Sequence, residues 1–148
     1  MYRLIEIVKN ASNGNESQSI TDFEKEVDAK GEFEFKSGQA AKSSAYMAYC
    51  YVLLNSAGEV VNNLFGSTSQ EVTIYPRLLD VVFSNGDETE NLSKYYTMVD
   101  ATANYHSKLG NAMKDSTKNG IMLCLIDEKG NPREKINWVR PVEVEEEG

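Results

Sequence analysis

Two stretches of this chain constrain its fold more than any other. Leu53-Leu54-Asn55-Ser56-Ala57-Gly58-Glu59-Val60-Val61 and Leu125-Ile126-Asp127-Glu128-Lys129-Gly130-Asn131-Pro132 each set a short polar side chain and a glycine between apolar runs. Asn or Asp opens such a turn by bonding its own backbone, and glycine supplies the positive φ that closes it. Both stretches read as β-hairpins, and hairpins make antiparallel sheet. The likeness between them reads as shared turn chemistry rather than an internal repeat.

Around the hairpins, runs rich in Val, Ile, Phe and Tyr predict strands at 2–9, 32–36, 45–54, 59–65, 71–75, 77–84, 121–127 and 134–140. In Gly31-Glu32-Phe33-Glu34-Phe35-Lys36 the alternation suggests a strand with one wet and one dry side. One long helix is expected from Leu92 onward, where Tyr96, Val99, Ala103, His106, Leu109 and Met113 recur at helical spacing. Asn91 or Ser93 would cap it, Glu88 and Glu90 suit the positive end of its dipole, and Asn119-Gly120 would close it. A shorter helix is expected over 20–29, where Thr21 and Glu24 have capping-box spacing. The polar stretch 10–19 reads as a loop with almost nothing to bury.

The expected fold is therefore α+β: mainly antiparallel β-sheet (open sheet, sandwich or partial barrel) with one long amphipathic helix packed on it. At 148 residues the chain fits one domain, 1–148, with an acidic tail at 142–148. A chain of this size buries roughly 70% of its unfolded surface. The start enters an alternating apolar pattern without the core of a secretory signal. No stretch approaches the roughly 20 apolar residues that cross a bilayer. Cytoplasmic location at synthesis is expected, with no membrane partner.

Reactive groups are sparse. The chain has one histidine, His106, on the expected helix stripe, and its two cysteines, Cys50 and Cys124, sit inside apolar runs as buried free thiols. No Cys or His pair has metal-ligand spacing, no glycine pattern cradles a phosphate, and no serine has the context of a nucleophile. No catalytic residue, metal or cofactor is assigned, and no enzymatic activity is expected. A net charge of −8 repels phosphate backbones, which makes duplex nucleic acid an unfavourable partner.

Protein subunits are the expected partners, in a homo-oligomeric ring or a larger hetero-assembly. Small acidic α+β chains with few motifs are common among bacteriophage virion and assembly factors, and this chain shares that character. The expectation is a non-enzymatic structural or assembly subunit of a virion, of the connector-ring, head-completion, tail-terminator or capsid-decoration type. The candidate interface comprises Tyr46, Tyr49 and Tyr51, Asn13 and Asn15 of the polar loop, and Val142, Val144, Glu145, Glu146 and Glu147 of the tail. The extensions at 10–19 and 141–148 would join neighbours by strand addition. Two alternatives use the same residues differently. The tyrosine-bearing strand, with Tyr49 and Tyr51 on one face and Tyr46 on the other with Cys50, would stack on single-stranded nucleic acid. The acidic clusters 87–90 and 143–147 would make the chain a nucleic-acid mimic that inhibits a host protein.

Overall fold

Strand, strand, helix, strand, strand is the order of the first half, and the second half repeats it. The computed structural model describes residues 1–142. The first five elements are β1 (Tyr2–Asn10), β2 (Glu16–Phe23), α1 (Glu26–Lys42), β3 (Tyr46–Leu54) and β4 (Val60–Ser67). The second five are β5 (Arg77–Ser84), β6 (Asp87–Lys94), α2 (Met98–Lys114), β7 (Gly120–Ile126) and β8 (Pro132–Val139). Each half forms one antiparallel four-stranded sheet, ordered β2-β1-β3-β4 and β6-β5-β7-β8.

The sheets stack face to face with a helix on each outer side. Ile5, Ile7, Cys50 and Val52 of one sheet share a core with Leu79, Val81, Met122 and Cys124 of the other. On the outer faces, Leu4, Tyr51 and Leu53 bury Ala29 and Phe33 of α1, and Leu78, Leu123 and Leu125 bury Ala101 and Tyr105 of α2. The middle strands are covered on both sides, which is why β7 reads as an unbroken apolar run.

The halves match residue by residue. Arg3-Leu4-Ile5-Glu6-Ile7-Val8 corresponds to Arg77-Leu78-Leu79-Asp80-Val81-Val82. In the helices Val27, Asp28, Ala29, Lys36, Gly38, Ala40 and Lys42 meet Val99, Asp100, Ala101, Lys108, Gly110, Ala112 and Lys114. Both hairpins carry the same bulge at their last inner residue, Leu54 and Ile126. Asn55 Oδ1 accepts from the N–H groups of Ala57 and Glu59, and Asp127 Oδ1 from those of Lys129 and Asn131. The likeness of the hairpins is thus one part of a chain-wide repeat, which corrects the expectation of shared turn chemistry alone.

Contacts across the sheet–sheet seam are reciprocal. Buried Arg3 reaches Glu88 and Glu90 of β6, and buried Arg77 reaches the matching Glu16 and Gln18 of β2. Gly58 lies under Met122, and Gly130 lies under the matching Cys50. Such exchange, in which i touches j and j touches i, marks a two-fold, isologous arrangement. The halves sit as the two subunits of a homodimer would.

Several expectations are corrected. Among the described residues there are two 17-residue helices, one per sheet, in place of one long helix. Residues 32–36 lie within α1, because Ala29, Phe33, Ser37 and Ala40 recur at helical spacing and the Glu/Phe alternation is too short to compete. Residues 20–23 are strand rather than helix, and α1 starts at Glu26 without a side-chain cap. Residues 16–19 of the expected loop belong to β2. Residues 71–75 form the crossing between halves, where Ile74 N–H donates to the Glu128 carbonyl. The acids at 87–90 are strand β6, and α2 starts later, with Thr97 Oγ1 accepting from Asp100 N–H at 3.1 Å. The stripe counted from Leu92 therefore falls on the wrong side: Val99 is 78% exposed, and Ala101, Tyr105 and Ala112 face the sheet.

Candidate functional site

The tyrosines of β3 lie beneath α1. Tyr51 is buried, Tyr46 and Tyr49 are half-buried, and all three pack on the outer-face core. The ring of Tyr51 meets Phe33 edge-on at 6.4 Å. Burial, with Glu6 beside it, holds the Tyr51 hydroxyl protonated above its usual range. A register shift opposite Lys9 and Asn10 turns Tyr46 to the same face as its neighbours, where strict alternation would have placed it with Cys50. These rings are thus occupied by their own helix.

Cys50 and Cys124 are free and buried, and burial pushes both thiols up to about 12. His106 is exposed on α2, 4.0 Å from Glu134. Among the described residues no group of His, Cys, Asp and Glu could hold a metal ion, and no helix is long and apolar enough to cross a membrane. Val142 is exposed; Val144, Glu145, Glu146 and Glu147, with the cluster 143–147, lie outside the described residues.

Each helix is tied to its sheet by an equivalent ion pair. Lys36 Nζ stands 3.7 Å from Glu6, and Lys108 Nζ stands 3.3 Å from Asp80. Beside them lie equivalent hollows, one reached by Gln39 and Ser43 and the other by Asn111 and Asp115. The second pair is the deeper: Asp80 Oδ2 is buried and, apart from the Lys108 ammonium, has no hydrogen-bond partner among the described residues.

Where the halves differ is more telling. The β1–β2 connection runs over 11–15, whereas β5 turns into β6 through Asn85 and Gly86 alone, both at positive φ. The connections into the two helices are equal in length, with Tyr95, Tyr96 and Thr97 standing where Phe23, Glu24 and Lys25 stand in the first half. The longer β1–β2 connection and Tyr96, which replaces Glu24, meet at one cleft of about 430 Å³ at the seam, lined by Gly14, Asn15, Glu16, Tyr75, Lys94 and Tyr96. Asn15, expected at an interface, is therefore in this wall; Asn13 supports it by accepting from the Asn15 N–H.

Tyr75 and Tyr96 meet edge-on at 5.1 Å. Lys94 Nζ lies 5.0 Å from one ring centroid and 5.5 Å from the other, and Lys9 Nζ lies 5.8 Å from Tyr75. Glu16 adds no free charge, since Arg77 sits 2.8 Å away and the Tyr75 N–H donates to both its oxygens. At the other end of the seam Asp22 takes the place of Lys94. No sequence motif marks the cleft; the signal was the unequal spacing of two otherwise parallel halves.

The sheet edges differ as well. β2, β6 and β8 each carry charged residues, and β8 begins with proline. Strand β4, Val60-Val61-Asn62-Asn63-Leu64-Phe65-Gly66-Ser67, has neither a charge nor a proline. Asn62, Asn63 and Leu64 at its middle are exposed. Comparison with family models, with curated proteins and with solved structures finds no match.

Proposed function

We propose that this chain is a non-catalytic structural subunit that joins a second copy of itself edge to edge through β4. The observation that carries this is the contrast between two equivalent edges. The repeat makes β4 and β8 counterparts, yet β8 holds Pro132, Arg133, Glu134 and Lys135 while β4 is bare. Charges and proline are the devices that keep an edge from pairing, and an edge without them is open to another chain. Two molecules of net charge −8 repel, so contact falls where no carboxylate stands.

Like-with-like pairing of β4 would fuse two four-stranded sheets into one of eight strands. Such an isologous contact closes a dimer, in contrast to the head-to-tail contacts of a ring. The dimer is proposed as the building block of a larger assembly, with a bacteriophage virion as the setting that the acidic, motif-poor composition favours.

Native mass by light scattering across a concentration series tests this. The wild type should approach twice the monomer mass as concentration rises, and Asn63→Glu should hold it at the monomer mass without lowering its melting temperature. A wild type that stays monomeric, or a dimer indifferent to Asn63→Glu, would overturn the proposal.

A further inference from the structure

Away from β4, the cleft at the seam has the composition of a ligand site. Its two rings are only partly used by the protein: Tyr75 is 39% exposed and Tyr96 is 71% exposed. Its excess charge runs against that of the molecule: buried Arg77 neutralises Glu16 at 2.8 Å, which leaves Lys94 over the rings and Lys9, whose ammonium donates to the Thr73 carbonyl at 2.8 Å. Its volume lies within the range of small-molecule sites, roughly 300–1,000 Å³.

We propose that this cleft binds an unpaired nucleotide, with the base against Tyr96 and the phosphate between Lys94 and Lys9. A ring edge-on to its neighbour leaves one face for a flat partner, and every nucleobase offers a π-face to stack. Lys94 already sits over both rings, so an arriving base takes the ammonium's place and the ammonium turns to the phosphate. The Asn15 carboxamide in the wall offers both a donor and an acceptor to a base edge. A cationic ligand is disfavoured by the two ammonium groups, and a duplex keeps its bases stacked away from the rings.

The chemistry is common to a free nucleotide and to a base in a single strand, and the experiment separates them. Fluorescence anisotropy of a labelled short oligothymidylate, at low salt, reads binding to the whole chain. The wild type should bind, and Tyr96→Ala should weaken binding roughly five- to a hundredfold, the range for one stacked base. Neutralising the one phosphate gives log K a slope of about −0.7 against log salt, and Lys94→Gln should flatten it. Competition by thymidine monophosphate at similar affinity would mark the free nucleotide as the ligand; competition by unlabelled strand alone would mark the polymer.

Three results would overturn the proposal: no binding by the wild type, equal binding of duplex, or full binding by Tyr96→Ala at an unchanged melting temperature. If Tyr96→Ala alters the native mass while oligonucleotide binding is unaffected, the rings belong to a protein contact instead. Asn63→Glu should bind the oligonucleotide as the wild type does, so failure of the dimer and failure of the cleft are read separately.

Discussion

Alanine decides how α2 meets its sheet. Ala101 and Ala112 are buried where a larger residue would hold the helix off, and Val99, the more hydrophobic side chain, points to solvent. Val99→Asp should therefore leave stability within about 0.5 kcal/mol of wild type, and an acid in the first turn suits the helix dipole. Ala101→Asp buries an unpaired charge and should cost more than about 3 kcal/mol. Urea denaturation checks both, and a severe loss from Val99→Asp would mean the helix is rotated. The turn residues were legible because Asn55, Gly58, Asp127 and Gly130 act locally, each on its own backbone. The stripe was not, because hydropathy ranks valine above alanine and says nothing of close approach.

At the level of elements, legibility followed burial. The central strands β1, β3, β5 and β7 stand out as apolar runs since both faces are covered. Edge strands β2 and β6 escaped notice: Glu16, Gln18, Glu88 and Glu90 look like loop or helix-start residues until the arginines they serve are seen. The helix–sheet ion pairs give the element-scale prediction. Lys108→Ala strands the buried Asp80 carboxylate and should cost about 2 kcal/mol, whereas Lys36→Ala, beside the more exposed Glu6, should cost less than about 1 kcal/mol. Equal losses in denaturant melts would show that depth does not distinguish the two pairs.

Over the whole molecule, the candidate cleft was hidden for the same reason as the repeat. Its parts come from 14–16, 75 and 94–96, and only the two-fold stacking of the halves brings them together. The acidic end of the seam predicts a pH response. Burial, then the hydrogen bond and charge of Glu90, raise the Asp22 carboxyl to about 6, against the opposing pull of Arg3. A raised acid favours the folded state while protonated, so its contribution is complete below about pH 4 and disappears as pH rises through about 6. Asp22→Asn should thus gain on the wild type between those limits, by on the order of 1 kcal/mol after solvent screening. A gap between the two melting temperatures that does not change with pH would show that Asp22 does not titrate in this way.

Joining the two halves in one chain has an evolutionary consequence. In a homodimer every substitution appears twice, so a lysine gained at one end of the interface is gained at the other. Here the two-fold symmetry is kept where it stabilises, in Arg3 and Arg77 and in the two hairpins, and is absent where Asp22 faces one end and Lys94 the other. Covalent linkage frees one copy to specialise while its twin preserves the scaffold.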